Sequence, residues 1–149
     1  PGQTRTKLYA VHHAARFLAE SSCENVMAVK RVLRYLRGSV VAGIMFRDVE
    51  IKEVIGYADA DYVGSEGDSH STSGFVFLLN GPITWVSRRQ RLTAMSTTEA
   101  EIYALAEAAK EASWIRDLLV NMSLIPADSK VKLMEDNAAC HALATESVI

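Results

Sequence analysis

From Thr97 to about Met122 the chain runs through T-T-E-A-E-I-Y-A-L-A-E-A-A-K-E-A-S-W-I-R-D-L-L-V-N-M without a glycine or a proline, rich in alanine, leucine and glutamate. That composition predicts one long helix. Steps of three and four residues from Glu101 reach Leu105, Ala108, Ala112, Ile115 and Leu119, so a glutamate opens the stripe expected to face the core. An ionised carboxylate there is tolerated when it is paired or coordinates a metal, which points to a site at the edge of a sheet. The competing reading is an exposed residue in a frayed first turn. Glu99 has a simpler explanation, because S-T-T-E from Ser96 matches a capping box in which the glutamate reaches back to the Ser96 N–H.

The segments before this helix are short and extended. Ala42 to Phe46 and Val54 to Asp59 are strand candidates, and S-T-S-G-F-V-F-L-L-N-G-P-I-T-W-V-S reads as a hairpin turning at Asn80-Gly81-Pro82. Trp85, within the second arm, is expected to pack in the core rather than serve as a stacking platform. Beyond a loop at Pro126 and Asp128, Val131 to Met134 forms a short strand ending in E-D-N, and a helix begins near Ala138. The first 40 residues read as two helices, one over Leu8 to Leu18 and one that stops at Gly38, broken between Ser21 and Asn25. The expected fold is α/β, a mixed sheet of about five strands flanked by helices and preceded by a short helical segment.

With 149 residues and 49% hydrophobic content, one sizeable core can be buried. The two cysteines, Cys23 and Cys140, have no ligand-like spacing with the four histidines, so both read as reduced thiols. No apolar run is long enough to span a membrane and no cleavable leader is visible, so the chain reads as soluble and intracellular. A net charge of −2 gives no global attraction to nucleic acid, and only Arg88, Arg89 and Arg91 in S-R-R-Q-R form a basic cluster. Lys30, Arg31, Arg34 and Arg37 read more simply as the solvated face of a helix.

Three further carboxylates sit at strand ends. Asp59 and Asp61 share one face of the Val54 strand, and Asp59 lies closer to the apolar run that would hold it in place. Asp136 ends the Val131 strand, although D-N before A-A-C-H-A-L also reads as a plain helix N-cap. If Asp59, Glu101 and Asp136 converge, their mutual repulsion demands cations. Hard oxygen ligands suit Mg²⁺ or Mn²⁺, and two such ions can activate water and stabilise a leaving oxygen in phosphodiester cleavage.

The blocks G-Y-A-D-A-D-Y, then S-T-S-G-F-V-F-L-L-N-G-P-I-T-W-V-S-R-R-Q, then S-T-T-E-A-E-I-Y-A-L-A-E-A-A-K-E-A-S-W-I-R, then E-D-N-A-A closely resemble the ribonuclease H region of copia-type (Pseudoviridae) retrotransposon Pol polyproteins. Upstream, A-V-K-R-V-L-R-Y-L-R-G-S looks like the last helix of the family's reverse transcriptase. The resemblance runs roughly from Ala28 to Leu143. It implies a helical segment over 1–41 ending the reverse transcriptase and a ribonuclease H-like domain over 42–149. It further implies hydrolysis of the RNA strand of RNA–DNA hybrids, with Asp59, Glu101 and Asp136 as catalytic residues and ligands for two Mg²⁺ ions, replaceable by Mn²⁺. Ser71, Thr72 and Ser73, and Arg88, Arg89 and Arg91, would contact nucleic acid, although a turn role for the serine–threonine run is at least as plain.

On the same resemblance the partners are an RNA–DNA hybrid and the reverse transcriptase portion of the same polyprotein, with no membrane, in cytoplasmic particles and the nucleus rather than in secretion. One departure bears on activity. The family carries a fourth acidic ligand near the C-terminus, whereas here Glu146 is the sole late carboxylate and matches no motif, so the C-terminus is read as truncated. A catalytically inactive scaffold on the same fold is the competing function. A transposase-like nuclease fits less well, because its helical glutamate is expected after the second aspartate, not between the two.

Overall fold

The computed structural model describes residues 10–11, 14–15, 22–46, 53–62 and 70–145. They fall into two compact units, Pro1–Met45 and Phe46–Ile149. The helix read over Leu8 to Leu18 lies, apart from residues 10–11 and 14–15, outside the described residues, and so does Glu146.

In the first unit, helix α1 spans Cys23–Gly38. Ser22 starts it by accepting the Asn25 N–H at 3.2 Å, and Glu24 and Arg37 lie at the ends where the helix dipole favours their charges. Its stop falls at Gly38 as expected, but the cap is Ser39, whose N–H donates to Leu36 O and whose Oγ donates to Tyr35 O at 2.9 Å. No described residue of α1 is buried within the chain, so its periodic apolar positions Val26, Val29, Leu33 and Leu36 are all exposed.

Ala42 to Phe46 does not form the expected strand. An apolar run becomes a strand by pairing, and no described strand pairs with it; instead the Ala42 N–H closes a turn on Ser39 O, and Val41 and Met45 are exposed. Among the described residues the sheet therefore has four strands rather than five.

The second unit contains β1 (Ile55–Asp61), β2 (Thr72–Leu78), β3 (Pro82–Arg89), α2 (Thr97–Asn121), β4 (Lys132–Met134) and α3 (Ala138–Thr145). The sheet order is β3-β2-β1-β4, with β1 antiparallel to β2, β2 antiparallel to β3, and β1 parallel to β4. The β2–β3 hairpin turns where read: Asn80 takes φ 56°, a left-handed conformation that asparagine tolerates better than most residues, and the Leu79 N–H donates to Gly81 O at 2.7 Å.

Helix α2 lies on this sheet through Ala100, Glu101, Ala104, Ala108, Ala112, Ile115 and Leu119. Alanines predominate, so the helix backbone approaches closely, and Val54, Ala58, Phe75 and Phe77 fill the space below it. The two phenylalanine rings meet edge to face at 5.8 Å. Gly56 is small for a reason: a Cβ there would fall on the Phe77 ring and 2.6 Å from Leu133 Cδ2. Strand β3 is an edge, and its alternate residues Ile83 and Trp85 are 37% and 36% exposed, so Trp85 is not the core residue expected. Its neighbours Thr84 and Val86 take the inward positions: Thr84 Oγ1 donates to Glu111 on α2, and Val86 packs on the core. No helix among the described residues is long and apolar enough to cross a membrane.

Candidate metal centre

Parallel pairing of β1 with β4 sets the ends of two strands side by side, with Tyr57 opposite Met134. Each strand then delivers an aspartate just past that register, Asp59 on β1 and Asp136 two residues beyond β4. The second turn of α2 adds Glu101 from the helix that lies on the sheet. One carboxylate oxygen from each of Asp59, Glu101 and Asp136 lies within 4.8 Å of the others, with Glu101 buried, Asp59 half-buried and Asp136 exposed. Asp61 stays outside this group at the exposed end of β1. The three residues come from β1, the start of α2 and the end of β4, and the cluster is open to solvent on the Asp136 side.

Local structure explains each placement. Ser96 caps α2 by accepting the Glu99 N–H at 3.1 Å, and Glu99 Oε2 accepts the Met95 N–H at 2.6 Å, one residue further back than the capping box predicts. Glu99 is thereby committed to starting the helix, which leaves Glu101 to face the sheet. There the Ala60 N–H donates to Glu101 Oε2 at 2.7 Å. At the other end, Asn137 Oδ1 accepts the Cys140 N–H at 2.9 Å and caps α3, so the cap reading of D-N is realised by Asn137 while Asp136 joins the carboxylate group.

Glu135 supports that loop. Its Oε1 accepts the N–H groups of Asp136 and Asn137 at 3.0 and 3.1 Å, while Oε2 is buried without a hydrogen-bond partner among the described residues. Burial raises the Glu135 carboxyl above its ordinary range, with the two backbone bonds opposing. Burial likewise raises the Cys140 thiol, and the Glu135 and Glu101 carboxylates add to the effect.

The residues expected to meet nucleic acid share paired strand ends, Thr72 opposite Arg89 and Ser73 opposite Arg88, but they differ in exposure. Ser71, Thr72 and Ser73 are 1%, 4% and 1% exposed, so they lie inside the sheet's edge rather than on its surface. Arg88 donates from Nε and Nη2 to both oxygens of Glu107 on α2, at 3.1 and 2.6 Å, a two-pronged bond that raises its already high pKa. Arg89 Nη2 donates to His70 Nδ1 at 2.8 Å. Arg91 is exposed. Gln90, which the sequence reading passed over inside S-R-R-Q-R, is buried and donates from Nε2 to Ser73 Oγ and to Ala100 O, both at 2.9 Å. A lone uncharged side chain in a basic run was its one available signal.

The sequence is similar to several known proteins. Over 107 residues the chain is 40% identical to a secreted RxLR effector protein 161 of Plasmopara viticola, a match covering 71% of this chain and 75% of that one. It is 36% identical over 117 residues to the retrovirus-related Pol polyprotein from transposon RE1 of Arabidopsis thaliana, and 39% identical over 119 residues to that from transposon TNT 1-94 of Nicotiana tabacum, each match covering 78% of this chain. Homologues at 35–39% identity over most of the chain are copia-type retrotransposon Pol polyproteins. The chain spans only 8% and 9% of the RE1 and TNT 1-94 Pol polyproteins, so the likeness supplies a general retroelement context. No family model and no solved structure matches the chain.

Proposed function

We propose that this chain is a ribonuclease H that hydrolyses the RNA strand of RNA–DNA hybrids with two divalent cations during reverse transcription. The observation that carries this reading is the approach of Asp59, Glu101 and Asp136 to within 4.8 Å from three separate elements. Three oxygen-only, anionic donors fit a hard cation, whose charge offsets the repulsion of holding them together. When bound, Mg²⁺ or Mn²⁺ supplies Lewis acidity and a water acidic enough to attack at neutral pH.

The protein's part is placement. Asp59 and Asp136 present oxygens from adjacent strand ends, and Glu101 closes the group from the helix, with its Oε2 accepting the Ala60 N–H. Asp136, being exposed, leaves one side open to a phosphodiester. The substrate on this reading is the hybrid, delivered by a reverse transcriptase portion of the same polyprotein.

The test is cleavage of a labelled RNA–DNA hybrid in Mg²⁺ and in Mn²⁺, beside Asp59→Asn. Cleavage by the parent and its loss in the variant are expected. An unchanged rate in Asp59→Asn would exclude the assignment, and a folded, cation-binding parent that never cleaves would leave a scaffold on the same fold.

A further inference from the structure

Four links close a ring around Glu101. Its Oε2 accepts the Ala60 N–H at 2.7 Å, and Ala60 is the cross-strand partner of Ser73. Ser73 Oγ accepts from Gln90 Nε2 at 2.9 Å, and the same nitrogen donates to the carbonyl of Ala100, the residue that precedes Glu101. Gln90 is itself anchored, its N–H donating to Ser71 O at 2.8 Å. Four residues of the ring are buried, Gln90 at 8% exposed, Ser73 1%, Ala100 0% and Glu101 8%, and Ala60 is half-buried.

We propose that Gln90 is a positioning residue for Glu101, tying the first turn of α2 to the end of β2 so that the carboxylate stands over Asp59. The chemistry selects a glutamine. One neutral nitrogen with two N–H donors serves an acceptor on the sheet and another on the helix, whereas lysine or arginine brings a charge into a buried place and glutamate has no N–H to give. The residues flanking it have other work: Arg88 is bound to Glu107 and Arg89 to His70, so the side chain buried between these surface arginines is the one that holds the helix start. Backbone pairing alone does not do this, because β3 has no hydrogen-bonded ladder with β1 or α2. The burial of Ser73 follows from the same network, which Ser71 joins through its carbonyl, and this gives the run a role inside the fold.

The inference rests on the cation-binding reading of Glu101, and its test separates the two. Gln90→Met keeps the length and loses both donors; Ser73→Ala removes one acceptor and is the milder change should Gln90→Met not fold. Thr84→Val is the control, since it breaks the Thr84–Glu111 bond of the same β3–α2 contact away from the carboxylates. Two quantities are read: Mn²⁺ affinity by calorimetric titration, and the NMR shift of the Ala60 amide proton, which reports its bond to Glu101. Gln90→Met is expected to weaken Mn²⁺ binding about tenfold and to move the Ala60 amide upfield. Ser73→Ala is expected to do both less strongly, and Thr84→Val neither. Parent-like values in the Gln90 and Ser73 variants, or equal losses in Thr84→Val, would overturn the assignment. A parent that binds no Mn²⁺ saturably would remove the cation-binding reading, and the Ala60 amide alone would then decide the role of Gln90.

Discussion

The Ala60 N–H donates to Glu101 Oε2 at 2.7 Å, so the strand that carries Asp59 also holds the carboxylate that stands above it. A hydrogen bond to an ionised acceptor is worth about 1.5–3 kcal/mol, and leaving the donor buried and unmatched forfeits it. Glu101→Gln retains an oxygen for Ala60, whereas Glu101→Ala does not. Denaturant unfolding should therefore find Glu101→Ala less stable than Glu101→Gln by about 1–3 kcal/mol, with hybrid cleavage lost in both. Equal stabilities would mean that the Ala60 bond contributes nothing to the fold.

Gly56 sits beneath two core side chains that cannot both withdraw. Gly56→Ala puts a methyl group on the Phe77 ring and 2.6 Å from Leu133 Cδ2, at the junction of β1, β2 and β4. Overpacking of this kind costs about 1–3 kcal/mol, and the midpoint of thermal unfolding should fall accordingly. Because β1 and β4 carry Asp59 and Asp136, cation affinity should fall with it.

The arginines in S-R-R-Q-R differ in what already binds them. Arg88 is occupied by Glu107 through two bonds, whereas Arg91 lies exposed beyond the strand. Arg91→Ala should reduce the salt dependence of hybrid binding by about one unit of slope, the signature of one lost phosphate contact. Arg88→Ala should leave that slope in place and lower stability by less than about 1 kcal/mol, as exposed ion pairs do. Filter binding across a salt series measures the first and denaturant unfolding the second.

The two thiols should react very differently. Cys23 is exposed, while Cys140 is buried and its thiol is raised by desolvation first and by Glu135 and Glu101 second. The thiolate is the nucleophile, so a raised pKa leaves less of it at any given pH. An alkylating reagent at neutral pH should label Cys23 alone in the folded chain and both residues in denaturant, as mass spectrometry of the peptides would show. Prompt labelling of Cys140 in the folded chain would contradict its buried place on α3.

What could be read from residues alone was whatever local chemistry dictates. The Asn80-Gly81 turn, the uninterrupted α2 and the strand-end aspartates carry their own signals, and Glu101 stood out because a charge on an apolar stripe is costly. What escaped depends on partners distant in sequence. Alternation in β3 shows that Trp85 and Val86 face opposite ways but not which way α2 lies. Likewise Ala42 to Phe46 has a strand's composition without a neighbour to pair with, and Gln90 gains its meaning from acceptors 10 and 17 residues away. The division of D-N between the carboxylate group and a helix cap needed the geometry itself.

Whether Asp59, Glu101 and Asp136 act as one site is tested most directly by titrating the chain with Mn²⁺ beside Asp59→Asn, Glu101→Gln and Asp136→Asn. A shared site predicts saturable binding in the parent, weakened by at least about tenfold in each of the three variants, since each removes a ligand of the same ions. Parent-like affinity in all three folded variants would contradict it.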